Sequence, residues 1–137
     1  MSGILLDTNV VSEVARPEPD ARVLAFLAAK TDLWLSTIVV HELEFGVRLL
    51  PSGRRRDRIA AAMRSLVGQY RSRILPVGVE EAERAASLRA QARQFGRLLD
   101  LGDALIAASA AVHDLSVATR NASDFEGLDL NVINPWM

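Results

Sequence analysis

Short apolar runs alternate with longer segments of helical periodicity along this chain. Periodicity predicts helices over residues 9–15, 21–29, 37–50, 54–69, 79–95 and 102–113. The apolar runs between them are short enough for buried β-strands, predicted at residues 3–6, 33–35, 74–75, 116–119 and 130–133. Strands that alternate with helices predict an α/β fold, with a short parallel sheet flanked by helices.

Local signals set the ends of several predicted helices. Thr8 is expected to cap the first helix, and Ser36 or Thr37 the third. The first helix is expected to end before Pro17, because proline breaks a helix. Asp100 is expected to cap the last long helix, because a carboxylate at that position accepts from the free backbone N–H groups. These signals agree with the helices that periodicity predicts.

Length and composition narrow the possible functions. We expect one domain over residues 1–137, which is long enough to bury a core without disulfides. The chain has no cysteine, so a thiolate nucleophile is excluded, and with only His41 and His113 a histidine-rich zinc site is disfavoured. The N-terminal residues lack the shape of a secretion signal and no apolar stretch is long enough for a bilayer, so we expect a cytoplasmic protein.

Two acidic residues occupy positions where a charge is unusual. Asp7 follows the first predicted strand, and ligands of parallel α/β sheets bind beyond the carboxyl ends of the strands. Glu42 falls in the middle of the apolar face of its helix, with Val39, Phe45 and Leu49 on either side, where a carboxylate is costly unless it is paired or binds a metal. The structural alternatives are a helix cap at Asp7 and an ion pair with an arginine at Glu42.

Two further acidic positions extend the pattern. Asp103 shares a helix face with Ile106 and Ala107, although first-turn carboxylates are also common because they favour the helix dipole. Asn121 and Asp124 follow the fourth predicted strand and can reach the same crevice, or serve in an ordinary turn. Carboxylates gathered in one pocket repel one another, and a hard cation such as Mg²⁺ or Mn²⁺ would relieve that repulsion.

Positive charge is concentrated in one stretch of the sequence. Lys30 is the only lysine, and seven arginines lie between residues 54 and 73. Arginine suits bidentate phosphate contacts, so this stretch could meet a polyanion, but a solvated helix face explains it equally well.

Four segments resemble the motifs of the PIN-domain family. Residues 5–13 (LLDTNVVSE) resemble its first motif, residues 41–46 (HELEFG) its second, residues 103–108 (DALIAA) its third, and residues 119–125 (TRNASDF) its fourth. The resemblance covers nearly the whole chain in the expected order. Within the family, the size and motifs look most like the VapC toxins of type II toxin–antitoxin modules, including the FitB-like branch.

This resemblance implies a fold, an activity and partners. The fold would be a PIN-like three-layer sandwich, and the activity a Mg²⁺- or Mn²⁺-dependent endoribonuclease that hydrolyses RNA by metal-activated water. A VapB-like antitoxin would dock on the toxin and block its site. Homodimers and larger toxin–antitoxin assemblies would be usual, with DNA contacted only through the antitoxin.

The resemblance also assigns roles to residues. Asp7, Glu42 and Asp103 would be metal ligands, and Thr8 and Asn9 would orient Asp7 and the bound water. The fourth motif carries Asn121 where relatives can have Asp, so Asp124 would supply the fourth acid, or Asn121 would act through water. One or two metal ions remain possible.

Two other functions are weighed against this one. A phosphatase with Asp7 as nucleophile would be expected to carry a second Asp two residues later, where this chain has Asn9. An inactive PIN-like module that only binds RNA or a partner would not need the full set of acids. A P-loop enzyme is excluded, because the sequence has no Gly-x-x-x-x-Gly-Lys motif.

Overall fold

A five-stranded parallel sheet forms the centre of the protein in the computed structural model, which describes residues 3–137. Its strand order is β3-β2-β1-β4-β5. The strands are β1 (Ile4–Leu6), β2 (Leu33–Ser36), β3 (Ile74–Leu75), β4 (Ser116–Ala118) and β5 (Val132–Ile133). All five predicted strands are therefore present, and the last begins two residues later than predicted. Residues 1 and 2 of the predicted domain lie outside the described part.

Six α-helices connect the strands, close to the predicted bounds. They are α1 (Thr8–Val14), α2 (Ala21–Ala29), α3 (Thr37–Arg48), α4 (Arg54–Gln69), α5 (Val79–Gln94) and α6 (Leu101–Val112). Short 3₁₀ turns occupy Arg71–Arg73 and Ala122–Phe125. Within residues 3–137, none of the helices has the length and apolar content to cross a membrane.

The predicted α/β architecture is confirmed as a three-layer sandwich. The central strand β1 is buried along its whole length, and α6 packs against β1 and β4 while α3 packs against β2. Helix α6 suits this position because most of its side chains are small and apolar, so its backbone lies close to the sheet. Five of its alanine and isoleucine side chains are fully buried: Ala104, Ile106, Ala107, Ala108 and Ala110.

Helix caps agree with the sequence at two ends and differ at a third. Ser36 caps α3 by accepting from the backbone N–H of Ile38, and Asp100 caps α6 by accepting from Gly102. The prediction that Thr8 caps α1 is wrong. Asp7 is the cap, since its Oδ1 accepts from the N–H of Thr8 at 2.7 Å, and Thr8 is the first helical residue.

Strand register determines where the chain leaves the sheet. Leu6 at the end of β1 pairs with Ala118 at the end of β4, in parallel. The next residues, Asp7 and Thr119, therefore emerge side by side at the carboxyl edge of the sheet. The backbone N–H of Asp7 donates to the carbonyl of Ala118 at 2.9 Å, which extends the pairing by one step.

Candidate active site at the carboxyl edge of the sheet

Asp7 is the most buried acidic residue at this edge, with 4 % of its surface exposed. Its Oδ2 accepts from the hydroxyl of Thr119 at 2.6 Å and from Nδ2 of Asn9 at 3.2 Å, while Oδ1 accepts from the N–H of Thr8. Burial raises the pKa of Asp7, whereas these three hydrogen bonds lower it and the nearby charge of Asp124 raises it slightly. Asp7 thus caps α1 and also lies within the acidic group.

Thr119 is the partner of Asp7 that sequence reasoning missed. It is fully buried, and its hydroxyl also accepts from the backbone N–H of Asn121 at 3.1 Å. Asn9 connects the same two segments, because its Oδ1 accepts from the N–H of Arg120 at 3.2 Å while its Nδ2 donates to Asp7. The signal for Thr119 was its place at the carboxyl end of a predicted strand, but only strand order shows that this strand lies next to β1.

Glu42 reaches the same edge from α3. The hydroxyl of Thr8 donates to Oε1 of Glu42 at 2.5 Å, so the residue expected to orient Asp7 holds a second carboxylate as well. The other oxygen, Oε2, lies against the first turn of α6. A Cβ placed on Gly102 would be 2.6 Å from it. Gly102 therefore leaves the room that the Glu42 carboxylate occupies.

The predicted burial of Glu42 is only partly correct. The buried side of α3 consists of Val39, Leu43 and Val47, and Glu42 is half-buried beside it. Phe45 and Leu49, which were expected to share a buried face with Glu42, are 56 % and 68 % exposed. The apolar face of α3 is thus wider than the core it packs on, and Glu42 lies at the boundary between core and solvent.

Asp103 and Asp124 line one cleft, together with Asp100. The cleft has a volume of about 390 Å³, and its other lining residues are Arg97, Leu98 and Leu99. Asp124 is exposed on the 122–125 turn. The side chain of Asn121 makes no hydrogen bond with residues 3–137. The bond between Asn121 and Thr119 comes from the backbone N–H of Asn121. Between the two alternatives left open by the sequence, the structure places Asp124 in the cleft.

Mutual repulsion of carboxylates is clearest at Asp103. Burial is the largest cause that raises its pKa, and together with the charges of Asp7, Asp100, Asp124 and Glu42 it brings that pKa to about 6. Each of the other three predicted acids therefore acts electrostatically on Asp103. Asp100, which the sequence explained as a cap only, is a fifth acid that acts on the same group.

The donor set of this edge fits a hard divalent cation. Carboxylate oxygens are the ligands that Mg²⁺ and Mn²⁺ prefer, and a cation would remove the repulsion at Asp103. Among residues 3–137 no three acidic or histidine side chains are arranged to hold one ion by themselves. Mg²⁺ is usually bound through one or two carboxylates and retains several water ligands, so Asp7 and Asp103 with water would satisfy it.

A larger groove lies elsewhere, between α3 and α4. It has a volume of about 480 Å³ and is lined mostly by apolar side chains, including Leu43, Met63 and Val67. Its one carboxylate, Glu44, is already paired with Arg48 at 3.1 Å and Arg64 at 3.7 Å. Because it lacks a group of converging catalytic residues, we assign the chemistry to the smaller acidic cleft.

Comparison with known proteins gives a family and close relatives. The PIN domain family profile matches residues 4–129. The VapC ribonuclease Y4jK of Sinorhizobium fredii is 40 % identical over 97 % of both chains. Toxin FitB of Neisseria gonorrhoeae is also 40 % identical, over 97 % of this chain and 98 % of that one.

A solved structure supports the same relationship. The crystal structure of FitAcB from Neisseria gonorrhoeae superposes with a TM-score of 0.90 at 40 % identity, and the match covers 97 % of this chain and 98 % of that chain. The family match, over residues 4–129, includes all four segments that supply the acidic residues.

Substitution of Asp103 by Asn should stabilise the protein at neutral pH without divalent ions. The folded state binds the Asp103 proton more tightly than the unfolded state, whose pKa is near 3.9, so stability falls as pH rises from about 4 to 6. Because Asp103 is half-exposed, we discount the full shift and expect Asp103→Asn to gain roughly 1 kcal/mol, or about 3–5 °C in Tm, at pH 7.5. The gain should shrink as the pH falls to 5.

Thermal unfolding in EDTA at several pH values measures this difference. Asp129→Asn, at the opposite end of the sheet, serves as the control, because its positive φ of 57° is compatible with Asn. Equal Tm values for wild type and Asp103→Asn at pH 7.5, or a gain in Tm that grows on acidification, would contradict a destabilising charge at Asp103.

Proposed function

The chain belongs to the PIN-domain family, and from this premise we propose that it is a Mg²⁺- or Mn²⁺-dependent endoribonuclease that acts as the toxin of a type II toxin–antitoxin pair. One observation carries the proposal: Asp7, Glu42, Asp103 and Asp124 come from four distant segments to one edge of the sheet. The relative named as a VapC ribonuclease supports RNA as the substrate. An enzyme acting on cellular RNA would work in the cytoplasm.

Two carboxylates are proposed to hold the metal ion. Asp7 and Asp103 are direct ligands, Glu42 binds directly or through water, and Asp124 is the fourth acid. A bound Mg²⁺ or Mn²⁺ supplies a Lewis acid that lowers the pKa of water and neutralises charge on the scissile phosphate. The raised pKa of Asp103 means that its carboxyl group holds a proton more tightly without a cation, so metal binding there would displace that proton and depend on pH.

The neighbouring side chains are proposed to fix these carboxylates. Thr119 and Asn9 both donate to Oδ2 of Asp7, and these two hydrogen bonds fix the orientation of the Asp7 carboxylate. Thr8 does the same for Glu42. Such outer hydrogen bonds tune metal sites, and their loss typically lowers metal affinity by about 10- to 100-fold.

Arg120 is proposed to contact the RNA backbone at the rim. The backbone N–H of Arg120 donates to Oδ1 of Asn9, and its guanidinium carbon lies 5.1 Å from the centroid of the Trp136 ring. The side chain is exposed and forms no ion pair with residues 3–137. A guanidinium that is oriented by stacking and is free of carboxylates can bind a phosphate through two N–H groups.

Removal of either proposed direct ligand should abolish RNA cleavage. We expect Asp7→Asn and Asp103→Asn to lower the cleavage rate in Mg²⁺ at least about 100-fold, because each loses a charged ligand. EDTA should have the same effect on the wild type. The measurement is cleavage of a mixed RNA substrate by purified protein, followed on denaturing gels.

Asp129→Asn is the matched control and should cleave at the wild-type rate, since it lies at the other end of the sheet. Full activity of either variant, or activity in EDTA, would contradict the metal–carboxylate proposal. A covalent phosphate on Asp7 would instead favour the phosphatase alternative.

An antitoxin is the proposed partner of this chain. The relative named toxin FitB supports a toxin role, and the resemblance to VapC toxins implies a small VapB-like protein that blocks the site. Homodimers and toxin–antitoxin hetero-oligomers, with DNA bound through the antitoxin, belong to the same proposal.

Expression of the chain alone should arrest bacterial growth, because uncontrolled cleavage of RNA stops translation. We expect Asp7→Asn to restore growth at equal protein levels, and co-expression of a short neighbouring open reading frame to restore it with the wild type. Colony counts after induction measure this. Arrest by Asp7→Asn equal to that by the wild type would show that toxicity does not depend on the proposed site.

Gly102→Ala should separate stability from activity. Alanine favours helices over glycine by about 1 kcal/mol, so the fold should keep or gain stability. The new Cβ, however, would lie 2.6 Å from Oε2 of Glu42 and 3.1 Å from Oδ2 of Asp100, and both carboxylates must move. We expect unchanged or higher Tm with about a tenfold loss of RNA cleavage.

Gly46→Ala on α3 is the control, since nothing lies within 4 Å of a Cβ at that position. It should keep full activity. A Gly102→Ala protein with wild-type cleavage would show that the position of Glu42 does not matter.

A further inference from the structure

Arg97 makes an unusual set of contacts at the mouth of the acidic cleft. Its Nη1 donates to the carbonyl of Glu126 at 2.6 Å, and its Nη2 donates to the carbonyls of Ser123 at 3.2 Å and Asp124 at 3.5 Å. All three acceptors belong to the backbone of the 122–125 turn or the residue after it. No carboxylate of residues 3–137 forms an ion pair with this guanidinium.

The end of α5 directs Arg97 towards that turn. Gly96 has a φ of 74°, its N–H donates to the carbonyl of Arg93, and the N–H of Arg97 donates to the carbonyl of Ala92 at 2.9 Å. This pair of bonds is a Schellman motif, which reverses the chain sharply after a helix. The guanidinium then lies against the backbone as far as Gly127, where a Cβ would be 3.8 Å from Nη1.

The segment that Arg97 holds is a single 3₁₀ turn. Its backbone bonds include those from the N–H of Asp124 to the carbonyl of Asn121 and from the N–H of Glu126 to the carbonyl of Ser123. Phe125 anchors one side of it in the core. Asp124 points away from that anchor, is exposed, and shares the lining of the cleft with Arg97 and Asp103.

We propose that Arg97 is a positioning residue, which holds the backbone of the 122–125 turn and thereby fixes the Asp124 carboxylate across the cleft from Asp103. The consequence for metal binding rests on the proposed function. Arginine is required because its planar fork of donors spans several carbonyls at once, whereas a lysine ammonium on a flexible stem cannot do so.

Hydrogen–deuterium exchange tests the positioning directly and needs no metal. Arg97→Lys keeps the charge and removes the fork, so amide exchange in residues 121–128 should accelerate about tenfold. Arg93 is an exposed arginine on the same helix end, and its side chain forms no hydrogen bond or ion pair with residues 3–137, so Arg93→Lys should leave exchange unchanged. Arg97→Gln is the second variant and should match Arg97→Lys. Equal exchange in all these proteins would overturn the proposal.

A double-mutant cycle tests whether Arg97 acts through Asp124. We expect Arg97→Lys to weaken Mn²⁺ binding about tenfold by isothermal titration calorimetry, and to have no further effect in the Asp124→Asn background. Additive effects of the two substitutions would overturn the proposal. If the wild type binds no Mn²⁺ and cleaves no RNA, the proposed function fails, and the exchange measurement alone then decides the role of Arg97.

Discussion

The buried carboxylate of Asp7 is the constraint on which the site depends. An ionised carboxylate moved out of water costs several kcal/mol unless donors replace its hydration, and Asp7 receives three donors from three residues. One of them, Thr119, is brought there only because β1 pairs with β4 in register. The sheet and the acidic edge are therefore parts of one arrangement, because a one-residue shift in the register of β1 and β4 would separate the hydroxyl of Thr119 from Asp7.

Free space as well as hydrogen bonds determines where the other acids lie. Glu42 occupies the space left by the missing side chain of Gly102, and Asp103 projects from the first turn of the same helix. Burial and the negative charges of the neighbouring acids together raise the pKa of Asp103. Gathering charges of one sign at this edge lowers the stability of the fold. Such a loss of stability is common at functional sites.

Periodicity alone predicted all five strands and six helices, because short apolar runs and helical repeats are local properties of the chain. It failed where a residue has two possible partners. Thr8 was expected to cap α1. Instead the preceding residue, Asp7, is the cap, and the hydroxyl of Thr8 donates to the carboxylate of Glu42. Phe45 and Leu49 were expected in the core, since an apolar face does not reveal how much of it the fold covers. The roles of Thr119 and Asp100 at the acidic edge could not be predicted, because they depend on strand order and helix packing, which no local pattern contains.

The hydrogen bond between Asp7 and Thr119 joins residues 112 positions apart. A ribosome releases the first strand long before the fourth, so a growing chain holds Asp7 without the hydroxyl that orients it. The site is complete only when almost the whole polypeptide has left the exit tunnel. Under the proposed function, the enzyme would therefore stay inactive through its own synthesis, and a truncated product without the last twenty residues would lack both Thr119 and Asp124.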